Sequence, residues 1–151
     1  MRIADVMKKP VHTVPADELL ETAAARMRDK RIHHLVVVRD GKAVGLLSSR
    51  DVGARGEAAA GTRQMAPRVS DAMTYPVIMV TPKATLRAAA NLMRGRTIGC
   101  LPVSEGDRLV GIVTVSDLLT LIGKGAERPA PRNKRWTLKH RGDRPRRPAV
   151  R

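Results

Sequence analysis

The sequence contains no phenylalanine and only one tryptophan and one tyrosine among its 151 residues. Apolar residues nevertheless make up 42% of the chain, so a hydrophobic core must be built from aliphatic residues and methionine. Helices packed on strands of β-branched residues suit this composition. A surface that binds nucleic acid by stacking bases on many aromatic rings does not.

Cysteine is equally scarce. Cys100 is the single one, so no disulfide can form within the chain and a four-cysteine zinc site is excluded. This usage favours a reducing cytoplasm. The sequence also lacks an N-terminal apolar run of signal-peptide length and any stretch near the roughly 20 apolar residues that cross a bilayer. We therefore expect a soluble, cytoplasmic protein without a transmembrane segment.

Acidic residues are too few to balance the basic ones, and the net charge is +15. Residues 1–123 hold 18 Lys and Arg against 12 Asp and Glu, a balance of +6, whereas residues 124–151 hold 11 against 2, a balance of +9. The final segment also contains four prolines and few residues that could be buried. We expect residues 124–151 to form a basic tail that is disordered on its own.

What the sequence does contain is an internal repeat. A shift of 66 positions aligns residues 5–52 with 71–118 without a gap, and 16 of the 48 pairs are identical. Both copies end in a glycine, two aliphatic residues, a hydroxyl residue and, three positions later, an aspartate. These endings read GLLSSRDV at 45–52 and GIVTVSDL at 111–118. Because a long repeat occurs only twice, we predict two supersecondary units that close on each other.

Each copy predicts the element order β-α-β-β-α. A short extended run follows a proline at 10–14 and at 76–80. A helix with an apolar stripe comes next, and Gly95 is the expected C-cap of the second such helix. Two strands joined by an Asp-Gly or Gly-Asp turn then predict a β-hairpin, and a final helix begins near Ser49 and near Val115. The stripe residues are Leu20, Ala23, Ala24 and Met27 in the first copy, and Leu86, Ala89, Ala90 and Met93 in the second.

The predicted domain boundaries follow the repeat. The first repeat, with the start of a linker, takes residues 1–60, the second takes residues 61–123, and the basic tail takes residues 124–151. Residues 53–68 are rich in Gly and Ala, which indicates the remnant of a helix followed by the linker.

These landmarks resemble a tandem pair of CBS domains, the Bateman module. The openings DVMKKPVHTV and DAMTYPVIMV, the strands HHLVVV and CLPVS, and the two endings occur in the family's order between residue 1 and about residue 123. The resemblance implies an α/β (α+β) fold in which two β-α-β-β-α repeats pack with pseudo-two-fold symmetry. It also implies a non-catalytic regulatory module, usually a homodimer, that binds AMP, ADP, ATP, S-adenosylmethionine or a similar ligand between the repeats and transmits ligand state to a partner.

By this resemblance, the two endings form the ribose and phosphate side of two clefts. A carboxylate can accept hydrogen bonds from both ribose hydroxyls, and a helix N-terminus attracts phosphate. A hydroxyl three residues before an acid at a helix start is also the pattern of a capping box, which needs no ligand. We expect the second set to suit a ligand better, because Arg50 can pair with Asp51 or contact phosphate. The sets are Ser48, Arg50 and Asp51 in the first repeat, and Thr114, Ser116 and Asp117 in the second.

The resemblance further implies that, in each cleft, residues of the other repeat bind the adenine base. Apolar strand residues suit an adenine ring, although most of them also belong to a core. Facing Asp117 we expect Met7, Val11, His12, Ile32 and His33. Facing Asp51 we expect Met73, Val77, Ile78, Ile98 and Gly99.

Other chemistry finds little support. His33 and His34 are neighbours on a predicted strand and point to opposite faces, and no third ligand is evident, so we expect no metal site. One of the two histidines is expected to line the first cleft. We find no nucleophile paired with a base, no Walker loop and no GxGxxG after a strand, and we expect neither enzyme activity nor a cofactor other than the regulatory ligand.

An alternative function lies in the basic tail. The stretch RNKRWTLKHRGDRPRR at 132–147 places many cations around Trp136. Such a segment can bind nucleic acid phosphates or an acidic protein surface. In that case the repeats are a scaffold, and the protein is a nucleic-acid-binding or acidic-partner-binding adaptor.

Overall fold

The computed structural model describes residues 1–59 and 65–125, and only the backbone of residues 56–59. Residues 60–64 of the predicted linker and residues 126–151 of the predicted tail lie outside this description. A 3-10 turn (Ile3–Asp5) opens the chain. The first repeat contains β1 (Thr13–Pro15), α1 (Leu20–Lys30), β2 (His34–Arg39), β3 (Lys42–Ser48) and α2 (Ser49–Ala59). The second contains α3 (Val69–Ala72), α4 (Leu86–Arg96), β4 (Cys100–Glu105), β5 (Arg108–Thr114) and α5 (Val115–Gly123).

Both β-hairpins form where the sequence predicts them. β2 pairs antiparallel with β3, and β4 pairs antiparallel with β5. Asp40 and Gly41 turn the first hairpin with positive φ angles of 51° and 74°, the conformation for which Asp-Gly is favoured. Gly106 turns the second hairpin at a φ of 59°. The final helices also begin at the predicted residues, Ser49 and Val115.

The first strand is complete in one repeat only. In the first repeat, β1 pairs parallel with β2 over three residues, Thr13–Pro15. In the second repeat the equivalent contact is a single parallel bridge between Val80 and Val103. The extended run at 76–80 therefore follows the predicted path, but it is not a full strand.

Two prolines explain this difference. In the first repeat, the N–H of Val36 donates to the carbonyl of His12 at 3.1 Å, and the N–H of Ala16 donates to the carbonyl of Val38 at 3.0 Å. Pro102 and Pro82 stand at the positions equivalent to these two donors. Proline has no N–H, so the hydrogen bonds on both sides of the bridge are lost.

Helices α1 and α4 turn their predicted stripes toward the cores. Leu20, Ala23 and Met27 are buried, as are Ala89 and Met93. The other stripe residues are less enclosed: Ala24 and Leu86 are half-buried, and Ala90 is exposed.

The prediction that Gly95 is the C-cap of α4 is wrong. Helix α4 continues to Arg96, and the residue that takes the left-handed conformation is Thr97, at a φ of 54°. Arg31 does the same after α1, at a φ of 52°. The two repeats thus end this helix at equivalent positions, neither of which is a glycine.

The opening segment of each repeat packs into the core of the other repeat. Ile3 is fully buried in the second-repeat core, and Val69 is fully buried in the first-repeat core. Four isolated bridges hold the exchanged segments in place. They form two symmetry-related sets, because a shift of 66 positions converts each bridge of one set into a bridge of the other. The bridges are Arg2–Thr85, Lys8–Ile112, Leu19–Arg68 and Leu46–Thr74.

A third apolar cluster joins the repeats. Its buried members are Val36 and Leu46 from the first repeat and Cys100 from the second, and apolar residues of both repeats pack around them. The α/β fold of two paired repeats is therefore confirmed, with the first strand of the second repeat reduced to a single bridge. Because the openings are exchanged, the packed units cross the expected boundary between residues 60 and 61, which stays a prediction. Within residues 1–59 and 65–125, no helix is both long enough and apolar enough to cross a membrane.

The glycine of each ending lets an opening segment approach its strand closely. A Cβ built on Gly111 would lie 2.6 Å from Sδ and 3.1 Å from Cβ of Met7. A Cβ on Gly45 would lie 2.7 Å from Sδ of Met73 and 3.0 Å from the carbonyl oxygen of Thr74. The repeat keeps glycine here because no larger residue leaves room for the exchanged segment.

We expect Gly111→Ala to lower the free energy of unfolding by about 1–3 kcal/mol, because the added methyl group collides with Met7. Gly95→Ala is the matched control, since an added Cβ there meets nothing within 4 Å. It should stabilise the protein by up to about 1 kcal/mol through helix propensity. Urea unfolding followed by circular dichroism measures both effects, and a stabilised Gly111→Ala variant would contradict the packing described.

Candidate functional site

The two predicted sites lie where a strand passes into a helix. At the start of α5, Oδ2 of Asp117 accepts hydrogen bonds from Oγ1 and from the N–H of Thr114, at 2.7 and 2.8 Å. The N–H of Asp117 donates to Oγ1 of Thr114 at 3.2 Å. Ser48 and Asp51 make the same three contacts at the start of α2, at 2.7, 2.8 and 3.1 Å. Both motifs are therefore capping boxes, and in each the cap uses Oδ2 and not Oδ1.

The two Oδ1 atoms have different surroundings. Nζ of Lys8 lies 2.5 Å from Oδ1 of Asp117. In the part of the chain that the structure describes, Oδ1 of Asp51 accepts no hydrogen bond and forms no ion pair. Arg50 is exposed, and of the two roles considered for it, the ion pair with Asp51 is absent from the same residues. The competing cation thus lies at the second site, which removes the reason for preferring that site.

The Lys8 contact also affects the charge of Asp117. This side chain is 7% exposed, and burial by itself would raise the pKa of its carboxyl group. Hydrogen bonds from Lys8 and Thr114 outweigh that effect and hold the pKa of Asp117 below its ordinary value. Asp117 is therefore a carboxylate at neutral pH, with both oxygens engaged by protein groups.

His34 and Cys100 occupy equivalent positions near the first site. A Cβ built on Gly99 would lie 3.2 Å from Nε2 of His34, so the second repeat reaches the first at this point. Burial raises the pKa of the Cys100 thiol to about 12, and the negative charge of Asp51 adds to the effect. Cys100 is consequently a protonated thiol at neutral pH and is poorly suited to act as a nucleophile.

The residues expected to face Asp51 are divided among three environments. Met73 packs against the first-repeat core, which contains the strand that leads into Asp51. Val77 belongs to the cluster between the repeats. Ile78 and Ile98 pack into the second-repeat core, while Gly99 meets the first repeat at His34.

The residues expected to face Asp117 are also divided. Met7 packs into the second-repeat core beneath the strand that leads into Asp117. Val11 belongs to the cluster between the repeats, and the carbonyl of His12 accepts a backbone hydrogen bond from β2. Ser116 is exposed on the first turn of α5.

Ile32 and His33 lie elsewhere, in a cavity of about 590 Å³ between α1 and α2. Nδ1 of His33 is 3.4 Å from Oγ of Ser49, at the start of α2. Asp117 is not among the residues that line this cavity, and within the described residues His33 forms no hydrogen bond or ion pair with Asp117. The cavity is lined by Ala24, Met27, Arg28, Arg31, Ile32, His33, Ser49, Val52 and Gly53.

Lys8 was not among the expected site residues. The signal for it is a difference between the repeats, because Lys8 aligns with Thr74 directly after the identical pair Met7 and Met73. The described segments bring together no group of three or more His, Cys, Asp or Glu side chains with the geometry of a metal site.

The chain is thus a duplicated unit whose two copies exchange their opening segments and place an aspartate at each strand-to-helix junction. The CBS domain family model matches residues 3–52 and 69–124. The chain belongs to this family.

Known proteins agree with this assignment. CBS domain-containing protein YhcV of Bacillus subtilis is 32% identical over 116 residues, which cover 77% of this chain and 81% of YhcV. The CBS domain pair of protein MJ0100, crystallised with 5′-methylthioadenosine and S-adenosyl-L-methionine, has a TM-score of 0.74 at 28% identity and covers 83% of this chain and 98% of that chain. A homoserine O-acetyltransferase of Methanococcoides burtonii is 32% identical over 123 residues, but the match covers 24% of that enzyme. It therefore gives no ground for assigning acetyl transfer to this chain.

The half-buried His34 makes stability depend on pH. Burial lowers the pKa of His34 most, the neighbouring His33 lowers it further, and Asp51 partly opposes them. As the pH falls from about 7 to about 5, the unfolded chain takes up this proton before the folded chain does. We expect the free energy of unfolding to fall over this range, and His34→Gln to reduce the slope. Urea unfolding at a series of pH values tests this, and equal slopes would show that His34 is not responsible.

Proposed function

We propose that this protein is a non-catalytic regulatory module that binds an adenosine-containing ligand in the cleft between its repeats. AMP, ADP, ATP and S-adenosylmethionine are the candidate ligands. One observation carries the proposal: Asp51 Oδ1 is free of partners within the described residues, at a helix start beside the junction of the repeats. The complex of the MJ0100 pair with two adenosine compounds supports the ligand class.

The first cleft supplies the groups that such a ligand needs. Oδ1 of Asp51 can accept from the ribose hydroxyls while Oδ2 keeps the cap. Ser48 and Arg50 flank the start of α2, where the helix dipole favours phosphate, and the Arg50 side chain is exposed. Met73 and Val77 provide apolar contacts for the base, since both are half-buried at the repeat junction.

Signalling follows if the ligand contacts both repeats. A ligand shifts a conformational equilibrium only as far as its affinities for the two states differ. A ligand that contacts Asp51 in the first repeat and other residues in the second repeat would stabilise the state in which the two repeats are packed together.

We also propose that the module forms a homodimer through α5. Val115, Leu119 and Ile122 are 39%, 60% and 50% exposed and form one stripe on this helix. At the equivalent places of the first repeat, Ser49 and Gly53 line the cavity between α1 and α2. In this proposal the α5 stripe of one copy packs into the cavity of a second copy, and a two-fold axis repeats the contact.

The adaptor function of the basic tail stays a prediction. Its support is the charge of +9 in residues 124–151, and residues 126–151 lie outside the described part of the chain. Deletion of residues 126–151 separates the two functions, because nucleotide binding should survive and any retention of RNA or DNA should not. The cytoplasmic location also stays a prediction.

Ligand binding is tested by thermal unfolding with AMP, ADP, ATP, S-adenosylmethionine and 5′-methylthioadenosine at millimolar concentration. We expect at least one compound to raise the melting temperature, because binding to the folded state alone stabilises it. Asp51→Ala should abolish the increase.

The matched control for this test is Asp5→Ala. Asp5 also caps a helical turn, by accepting from the N–H of Arg2 at 2.7 Å, but it belongs to neither predicted site. Asp5→Ala should lower the melting temperature yet keep the ligand-induced increase. The proposal fails if no compound shifts the wild-type protein, or if Asp51→Ala responds as the wild type does.

We expect Leu119→Lys to convert the dimer to a monomer, because it places a charge in the apolar contact. Light scattering after size-exclusion chromatography measures the molecular mass. Met65→Lys is the control, since Met65 is 88% exposed but lies outside α5. A wild-type monomer, or a Leu119→Lys dimer, would contradict this interface.

A further inference from the structure

Lys8 is held over the second site by its backbone. Its N–H donates to the carbonyl of Ile112 at 2.8 Å, and the N–H of Ile112 donates back to the carbonyl of Lys8 at 3.1 Å. Ile112 belongs to β5 and lies three residues before Val115, the first residue of the helix that contains Asp117. The backbone of Lys8 is therefore fixed to the strand that leads into Asp117.

The ion pair leaves Asp117 no oxygen without a protein partner. Oδ2 accepts two hydrogen bonds from Thr114, and Oδ1 is taken by Lys8. The carboxylate is 7% exposed, whereas the lysine side chain is 70% exposed. The ammonium group thus covers the carboxylate from the solvent side, the direction from which a ribose would approach. A neutral hydroxyl pair would have to displace a charge-assisted contact.

The first site has the same backbone arrangement without the cation. The N–H of Thr74 donates to the carbonyl of Leu46 at 2.8 Å, and the N–H of Leu46 donates to the carbonyl of Thr74 at 3.0 Å. Thr74 aligns with Lys8, but it carries no charge. In the described residues, Oδ1 of Asp51 is correspondingly without a partner.

We infer that Lys8 blocks the second cleft to ribose, so that each chain binds one adenosine-type ligand, at Asp51. This inference rests on the proposed function, because it takes the two aspartates as the ribose contacts. It makes Lys8 the residue that determines which of the two equivalent aspartates contacts a ribose. In chemical terms, the ammonium group of Lys8 competes with the two ribose hydroxyls for Oδ1 of Asp117.

The test is isothermal titration calorimetry with 5′-methylthioadenosine and with AMP. We expect the wild type to bind one molecule per chain, and Asp51→Ala but not Asp117→Ala to abolish this binding. Lys8→Thr copies the residue of the first site and should raise the stoichiometry to two molecules per chain. Asp117→Ala in the Lys8→Thr background should return it to one. Lys8→Gln serves as a second variant if Lys8→Thr proves unstable.

Lys9→Thr is the matched control. Lys9 is exposed and forms no ion pair with the described residues, so its substitution removes the same charge one position away. The stoichiometry of this variant should stay at one. A gain of the second site in Lys9→Thr would mean that net charge, not the Lys8 contact, controls access, and it would overturn the inference.

A measurement without ligand separates the inference from the proposed function. The pKa of Asp117 can be followed by NMR of its carboxyl carbon, and it should rise in Lys8→Thr because an engaged cation is lost. An unchanged pKa would show that the ion pair is absent in solution. Two molecules per wild-type chain, or one per Lys8→Thr chain, would overturn the block and leave the proposed function standing. Absence of binding in every variant would overturn the proposed function and the inference with it.

Discussion

The exchange of opening segments is the constraint on which the rest of the structure depends. Ile3 completes the second-repeat core and Val69 completes the first, so neither repeat closes a core from its own residues alone. The exchange also places the residue after each opening methionine on the final strand of the opposite repeat. Each candidate site is therefore built from both halves of the duplication, and a change in their packing must alter it.

Local patterns predicted most of the fold. Asp40 and Gly41 indicated a hairpin because the required backbone conformation belongs to those two residues. The loss of a full strand at 76–80 was not predicted, because Pro82 and Pro102 are far apart in the sequence and act together only in the folded register. The exchange was missed for a similar reason. Ile3 belongs to no periodic apolar pattern, and its sequence neighbours do not indicate that it packs into the second-repeat core.

The motifs at the candidate sites supported two interpretations, a helix cap and a ligand contact. The structure shows that the two are compatible, because a carboxylate has two oxygens. Oδ2 of Asp51 caps the helix, and Oδ1 remains available to other groups. The Lys8 contact with Asp117 was beyond prediction, since it spans 109 positions and depends on the exchange. Only the difference between Lys8 and Thr74 was visible in the sequence.

Identity between the repeats marks what the fold requires. Asp5 and Asp71 both cap helical turns, by accepting from a backbone N–H at 2.7 Å, and Asp51 and Asp117 also cap helices. Such carboxylates would be retained in both copies even if neither bound a ligand. Differences between the copies carry more information about function, because the shared backbone does not demand them. A duplicated module can therefore specialise one cleft by changing the side chains that surround a conserved cap, without altering the cap itself.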